Sequence, residues 1–378
     1  MRRSSVFPYV IGLVLLLLFS VPWWTVVASA SWPTPVVVVG TVVFAAGMVA
    51  FPVFMMQGHG RRHRDWAARV GDTTLGVIWV LFTWSILGQV VRLVLALSGV
   101  DGATRARITA LAVVAVAIVL VGWGAVEAMR LPRTKTVDIV LPRLGHGLDG
   151  LRVAVLADTH YGPINRQRWS ARVAATVNAL NPDVVCHVGD LADGTVDQRR
   201  EQVAPLATVR ATMAKLYITG NHEYFSEAQN WLDHMACLGW EPMHNRHLVV
   251  ERDGAQLILA GIDDPTGVSS GLAGHGPNLT AALADTDPDT PVLLLAHQPK
   301  QVALATEAGV DLQLSGHTHG GQIWPFHLLV RLDQKFLHGL SRHGTRTQLY
   351  TSRGAGFWGP PLRVFAPSEI SLLTLRSA

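Results

Sequence analysis

The chain has 378 residues and a formal net charge of +4, and 49% of its residues are hydrophobic. Its length permits two or three domains, while its mean hydropathy of +0.29 is too high for a single soluble globule. The two cysteines, Cys186 and Cys237, are too few for a disulfide framework. Much of the arginine lies beside apolar segments, which indicates membrane topology and attraction to lipid rather than to nucleic acid, so no nucleic-acid partner is expected.

The first third of the sequence contains four apolar stretches, each long enough to cross a bilayer, which takes about 20 helical residues. Tryptophans lie at or near the ends of these stretches, as in the aromatic belts of membrane proteins. We therefore predict an all-α bundle of four transmembrane helices within residues 1–130, at about 6–27, 36–56, 75–97 and 108–128.

Basic residues around these stretches predict the orientation. Only Arg105 and Arg107 lie on one side, and the other side carries Arg2, Arg3, Arg61, Arg62, Arg64, Arg69, Arg130, Arg133 and Lys135. The positive-inside rule then predicts a multi-pass protein of the plasma membrane with the part of the chain after residue 130 in the cytoplasm. The first stretch also fits a signal peptide cleaved after residues 28–30, and its removal would leave the other three helices in the same orientation.

After residue 130, short apolar runs alternate with helical patterns, which is typical of layered α/β domains. Residues 131–150 are predicted to form a linker and a first strand, and residues 151–378 a second, α/β domain. Further strands are expected at 151–157, 183–188, 216–219, 257–261, 292–296 and 311–315. Helices are expected at 168–179, 198–213, 227–238 and 300–307. Residues 324–347 are poorly periodic and are expected to form a loop or a flap.

Polar side chains follow five of these predicted strands. The pieces are Asp158-Thr159-His160, Gly189-Asp190, Gly220-Asn221-His222-Glu223, His297, and Gly316-His317-Thr318-His319. Ligands of α/β sheets bind beyond the carboxyl ends of the strands, so these side chains are expected to converge. Carboxylate, amide and imidazole donors without a thiolate favour two divalent ions, Mn, Fe or Zn. The sequence thus predicts a dinuclear centre that hydrolyses a phosphate ester.

Spacing suggests how the ligands divide between the ions. Residues i and i+2 of an extended segment share a side, so Asp158 and His160 are expected on one ion, with His319. The other ion is expected to bind Asn221, His297 and His317. Asp190 is the candidate bridge, because a shared carboxylate holds two ions about 3.5–4 Å apart.

His222 follows a predicted ligand and is therefore free to face the substrate. We predict that it is the catalytic residue, which stabilises phosphoryl charge and, when protonated, gives a proton to the leaving oxygen.

At these motifs the chain resembles the calcineurin-like metallophosphoesterase superfamily, whose pattern D-x-H, GD, GNH[DE], H and GHxH is matched throughout. A narrower similarity to its bacterial membrane-anchored phosphodiesterase branch lies in residues 316–322 and in Gly354, Gly356, 359–363 and 369–370. The resemblance covers residue 141 to the end. It implies a four-layer α/β/β/α sandwich of two facing sheets flanked by helices, a dinuclear centre and phosphoester hydrolysis.

The leading function is a membrane-anchored phosphoesterase that hydrolyses phosphodiester or pyrophosphate bonds with a metal-activated hydroxide, with a lipid-linked substrate as one option. The alternatives are a phosphomonoesterase and a non-catalytic membrane sensor or scaffold that binds a phosphate ligand. Protein phosphatases of the superfamily carry an Arg in a GDxxDRG pattern, whereas Gly194 follows Asp193 here. A phosphoprotein substrate is therefore disfavoured.

Several polar residues near the motifs are expected to have structural roles. Asp193, Asp263 and Asp264 are predicted to be loop carboxylates, and His187 a hydrogen-bonded core histidine. Phe357 and Trp358 fit either a lipid or base pocket or ordinary packing at the sheet edge.

Overall fold

The computed structural model describes residues 7–60 and 64–378. The chain forms two compact units. One contains Met1–Met129 with Gly359–Val364, and the other contains Arg130–Trp358 with Phe365–Ala378. The basic residues Arg2, Arg3, Arg61 and Arg62, on which the predicted orientation partly depends, lie outside the described residues.

The first unit is built from four long helices that are apolar on all sides. They are α1 (Phe7–Trp23), continued by a π-helical turn (Trp24–Ala28), α2 (Thr34–His59), α3 (Asp65–Leu97) and α4 (Gly102–Met129). Each is long and apolar enough to cross a membrane. The prediction of four transmembrane helices is confirmed, although α3 begins ten residues before its predicted span, at Asp65.

A short segment near the end of the chain, Gly359–Val364, belongs to this helical unit. The backbone N–H of Arg363 donates to the carbonyl of Gly124 in α4 at 3.0 Å. A Cβ placed on Gly76 of α3 would lie 2.6 Å from the Leu362 side chain. Glycine at position 76 therefore allows the segment to approach α3 closely.

The second unit contains two six-stranded sheets. The first has the order β1 (Arg133–Val140), β12 (Glu369–Arg376), β2 (Leu151–Leu156), β3 (Val184–Val188), β4 (Ala214–Ile218), β5 (Glu241–Pro242). The second has the order β10 (Gly339–His343), β11 (Thr347–Thr351), β9 (Leu312–Ser315), β8 (Val292–Leu295), β7 (Ala255–Gly261), β6 (Arg246–Arg252). The central strands β2–β3–β4 and β7–β8–β9 run parallel, so their carboxyl ends share an edge.

Seven helices accompany the sheets. They are α5 (Gln167–Ala179), α6 (Val196–Val203), α7 (Asn221–Tyr224), α8 (Ala228–Cys237), α9 (Leu279–Ala282), α10 (Val302–Glu307) and α11 (His327–Gln334). Alternate residues of the two sheets, such as Val155 and Leu295, share one buried cluster between them. The opposite faces pack against α5 and α8 on the first sheet and against α9 and α10 on the second. The predicted four-layer α/β/β/α sandwich is confirmed.

Two local predictions are wrong. The helix predicted at 198–213 ends at Val203 and continues only as a 3₁₀ turn, Ala204–Thr208. Pro205 has no N–H for an α-helical bond, and β4 already begins at Ala214. The segment 324–347, predicted as a loop or flap, contains α11 and β10, and β10 pairs with β11 in an antiparallel hairpin.

Candidate metal centre

The five motif loops meet at one edge of the sandwich. Asp158 and His160 follow β2, Asp190 follows β3, and Asn221 begins α7 just after β4. In the facing sheet, His297 follows β8, while His317 and His319 follow β9. Because these strands are neighbours within their sheets, the loops after them are brought side by side.

Six of the seven predicted ligands form two groups. In the Asp158 group (Asp158, His160 and His319), one donor atom from each residue lies within 4.8 Å of the others. The same limit holds in the Asp190 group (Asp190, His297 and His317). The Nε2 atoms of His160 and His319 are 3.1 Å apart, and His297 Nε2 is 3.3 Å from His317 Nδ1.

Asp190 lies between the two groups. Its Oδ2 is 3.2 Å from His297 Nε2 in its own group and 3.6 Å from His160 Nε2 in the Asp158 group. Its Oδ1 accepts the backbone N–H of His222 at 2.9 Å. One carboxylate therefore reaches imidazoles of both groups.

The donor atoms fit divalent ions. Among the residues that the structure describes, Asp158 Oδ2 and Asn221 Oδ1 are buried without a hydrogen-bond partner. A buried polar atom without a partner is costly, and a cation would satisfy both oxygens. Imidazole nitrogens facing one another across about 3 Å, beside carboxylates, form the hard and borderline donor set of Mn, Fe and Zn.

Backbone strain is concentrated at these loops. Five candidate ligands that are not glycine have left-handed φ angles, namely Asp158 (51°), His160 (42°), Asp190 (51°), His317 (72°) and His319 (50°). Such conformations cost on the order of 1–3 kcal/mol each and persist where the surrounding structure imposes them, often at functional sites. Here they turn successive side chains of a loop toward one centre.

Two glycines are required by close approach of these loops. Gly189 has a φ of 93°, and a Cβ there would lie 2.6 Å from His297 Nδ1. A Cβ on Gly220 would lie 2.2 Å from Asp190 Oδ1. A side chain at either position would push a candidate ligand away from its place.

Hydrogen bonds orient the two histidines nearest Asp190. His297 Nδ1 donates to the backbone carbonyl of Val188 at 2.8 Å, which leaves Nε2 to face Asp190. His160 Nδ1 lies 2.8 Å from Asp193 Oδ1, which likewise leaves Nε2 to face the centre. Such outer partners fix the tautomer and ring direction of metal-binding imidazoles.

His222 lies beside the Asp158 group. Its Nδ1 is 2.7 Å from Asp193 Oδ1, and its ring meets that of His160 edge-on at 4.6 Å. Burial opposes its positive charge, but Asp190 and Asp193 outweigh burial and raise the pKa of His222 to about 9. The imidazole is thus held in a proton-donating form.

The sequence did not indicate that Asp193 contacts the candidate site. Burial opposes its charge, but His160 and His222 outweigh that effect and lower its pKa below the usual range. It is a loop carboxylate, as predicted, yet it also accepts from two imidazoles of the site. The only signal in the sequence is an acidic residue three positions after Asp190.

Glu223 is the last residue of the motif at 220–223, and it binds backbone groups of the metal loops. Its buried carboxylate accepts four backbone N–H groups of the metal loops, from Asp190, Leu191, Ala192 and Gly220, at 2.6 to 3.2 Å. Burial, with the Asp190 carboxylate nearby, raises its pKa to about 7. The side chain ties the loop after β3 to the loop after β4.

Hydrogen bonds engage the three polar residues that the sequence predicts to be structural, namely His187, Asp263 and Asp264. His187 is buried, and its Nε2 is 3.1 Å from Thr159 Oγ1. Asp263 Oδ1 lies 2.8 Å from His244 Nδ1, and Asp263 Oδ2 accepts the N–H of Gly276. Asp264 accepts from Gln298, next to His297, at 2.8 Å. His187 and Asp264 are thus hydrogen-bonded, whereas Asp263 also forms, with His244 and His275, a group whose donor atoms lie within 4.8 Å of one another.

Two aromatic side chains flank His222. The ring of Phe225 is 5.2 Å from its imidazole and that of Trp358 is 6.0 Å away, and both are well exposed. Phe357 is instead buried under the guanidinium of Arg166 at 4.8 Å. Of the predicted aromatic pair, only Trp358 therefore lies beside the candidate site.

Comparisons with known proteins indicate the family that this chain resembles. The family model for calcineurin-like phosphoesterases matches residues 151–321. A Danio rerio transmembrane protein with metallophosphoesterase domain is 35% identical over 83% of this chain and 74% of its own length. An uncharacterized metallophosphoesterase of Campylobacter jejuni is 36% identical over 79% of each chain. A solved sulfate thiohydrolase of Thermus thermophilus is 18% identical over 57% of this chain and 44% of that one, with a TM-score of 0.35, a similarity too weak to indicate a shared activity.

Proposed function

Because the chain belongs to the calcineurin-like metallophosphoesterase family and carries four membrane-length helices, we propose that it is a membrane-anchored phosphoesterase that cleaves phosphodiester or pyrophosphate bonds. The observation that carries the proposal is the position of Asp190, whose Oδ2 lies within 3.6 Å of imidazoles from both donor groups. A shared carboxylate is what a two-metal hydrolase needs.

The residues divide into two ligand sets in this proposal. Asp158, His160 and His319 would hold one divalent ion, and Asn221, His297 and His317 the other, with Asp190 available to both. Two such ions, Mn, Fe or Zn, would supply Lewis acidity to a phosphoryl group and to water. The donor side chains are held in place by the Val188 carbonyl, by Asp193 and by the strained loops.

His222 acts on the substrate rather than on the ions. Its Nδ1 is bound by Asp193, so the other edge of the ring faces away from that carboxylate. The raised pKa keeps the imidazole protonated at neutral pH. It stabilises charge on the phosphoryl oxygens and gives a proton to the departing oxygen, which matters most for a basic leaving group.

A diester is favoured over a monoester by the surroundings of His222. Phe225 and Trp358 present apolar rings on two sides of the imidazole, which suit the second organic substituent of a diester. The missing Arg after Asp193 removes one contact for a dianionic monoester. We also propose that the substrate is lipid-linked and that the site lies on the cytoplasmic side of the plasma membrane.

The test is a substrate panel on the full chain purified in detergent with Mn²⁺. We expect hydrolysis of diesters or pyrophosphates to exceed that of matched monoesters in kcat/KM. Asp190→Ala, purified alongside, should remove the activity, which excludes a contaminating enzyme. Preference for monoesters would overturn the diester assignment. Phosphate binding without turnover in the unaltered chain would favour the sensor alternative.

A further inference from the structure

Helix α11 presents a leucine-rich face to solvent. Leu328, Leu329 and Leu332 are 56%, 52% and 80% exposed. Positions i, i+1 and i+4 lie on one side of a helix, so the three side chains form one patch. The opposite side is anchored, because Gln334 is buried and its Nε2 donates to Gln298 Oε1 at 3.1 Å. Clustered exposed leucines on a well-anchored helix mark a binding surface.

Basic residues border the patch. Arg331, in the last turn of α11, and Lys335, directly after its end, are both exposed. The acidic residue of the helix, Asp333, lies one turn after Leu329, and Lys300, 3.2 Å away in an ion pair, offsets its charge. Leucines flanked by cations, with the acid held in an ion pair, are the pattern of a helix that lies in a lipid–water interface.

We propose that α11 lies in the surface of an anionic lipid bilayer. The chain itself carries four membrane-length helices, so a bilayer belongs to its surroundings. The leucine side chains enter the acyl boundary, while Arg331 and Lys335 contact the phosphate groups of the lipids.

The position of α11 in the sandwich links this surface to the metal loops. At its start, a Cβ on Gly321, in the loop that carries His319, would lie 2.4 Å from the His327 Cα. At its end, Gln334 binds Gln298, the residue after His297. A helix fixed to both loops and embedded in lipid would hold the candidate site at the membrane surface. Together with the proposed function, this assigns a lipid-borne phosphodiester as the substrate class.

Site-specific fluorescence tests the contact. The full chain carries Leu332→Cys in a Cys237→Ser background, leaving Cys186 buried, and is labelled with an environment-sensitive probe in nanodiscs of phosphatidylcholine and phosphatidylglycerol. Gln256→Cys, an exposed position at the other end of the second sheet, is the control. We expect a blue-shifted emission at position 332 that lipids with nitroxide groups quench, and neither effect at position 256.

Two results would overturn the proposal. One is a probe at position 332 with the emission of a water-exposed dye and no quenching by lipid. The other is a shielded probe that lipid does not quench but that transfers energy between labelled copies, because the patch would then join two copies of the chain.

An activity assay tests the substrate class separately. The double variant Leu328→Ser/Leu332→Ser should lose roughly tenfold or more in kcat/KM on a phosphodiester lipid in nanodiscs, since burial of each leucine is lost. Its kcat/KM on a soluble diester should stay within about twofold of the unaltered chain. Val249→Ser, which removes an exposed apolar side chain on β6, should change neither. Equal losses on both substrates would overturn the lipid assignment. An unaltered chain inactive on every diester and every pyrophosphate would instead refute the proposed function, and the fluorescence result alone would then decide the membrane contact.

Discussion

In the Asp158 group the ring of His160 is oriented by another side chain, Asp193, whereas in the Asp190 group the ring of His297 is oriented by the backbone carbonyl of Val188. A carbonyl within a buried strand cannot be displaced without unfolding the sheet. A side-chain carboxylate can rotate, and this one is shared with His222. The two groups therefore have similar donors but different support, and of the two orienting partners only Asp193 also binds the side chain of the candidate acid.

The largest effect is expected from the residue common to both groups. Asp190→Ala should lower kcat/KM by more than about a thousandfold, because the carboxylate between the two groups is removed. Metal analysis of the purified variant should show fewer than two bound equivalents. Asp289→Ala, an exposed loop substitution of the same type, is the control and should behave as the unaltered chain. Full metal content and activity in Asp190→Ala would contradict the shared role.

His222→Gln should separate turnover from metal binding. We expect kcat to fall about 10²- to 10³-fold with metal content unchanged, because general acid catalysis is lost while the proposed ligands remain. The loss should shrink for diesters with nitrophenol leaving groups, which depart without a proton. An equal loss for good and poor leaving groups would rule out the proton-donating role, and a loss of metal would make His222 a ligand.

Asp193→Asn tests whether the two groups differ in support. The amide still accepts one hydrogen bond but lacks the negative charge, so His160 and His222 should both be held less firmly. We expect a loss of about 10- to 100-fold in kcat/KM and, during dialysis against a chelator, release of one metal equivalent before the other. Release of both equivalents together would mean that the Asp158 group does not depend on Asp193.

The metal loops could be predicted from the sequence because each is marked by polar residues at a fixed place along the chain. Each candidate ligand stands directly after an apolar run, and the parallel strands β2, β3, β4, β8 and β9 formed close to their predicted bounds. The edge strand β10 and its neighbour β11 could not be predicted in this way. β10 contains an exposed polar residue, Arg342, and the pairing of the two segments, not their composition, makes them strands.

Asp193 and α11 could not be assigned from sequence for a different reason. The distance from Asp193 to His160 and His222 depends on two loops from adjacent strands, which no spacing along the chain encodes. Helix α11 has only eight residues and follows a glycine-rich loop, so its period is too short to recognise. Whether its leucines face the core or solvent depends on the packing of Gln334, which is a tertiary contact.

The smallest effect on chemistry is expected at Glu223, which supports both donor groups through the backbone. In Glu223→Gln, one oxygen becomes an NH₂ group, so either the N–H groups of Asp190 and Gly220 or those of Leu191 and Ala192 lose their acceptor. Buried N–H groups without a partner should lower the free energy of unfolding by about 1–3 kcal/mol, while kcat changes by less than about tenfold.

Thermal unfolding of the full chain, followed by tryptophan fluorescence, measures the change at Glu223. Glu227→Gln is the matched control, since Glu227 Oε2 accepts a single backbone N–H, from Val196 at 3.1 Å, and its loss should cost less. A Glu223→Gln variant as stable as the control would mean that its four backbone bonds do not join the loops after β3 and β4. A variant of normal stability but without activity would instead place Glu223 among the groups that act on the substrate.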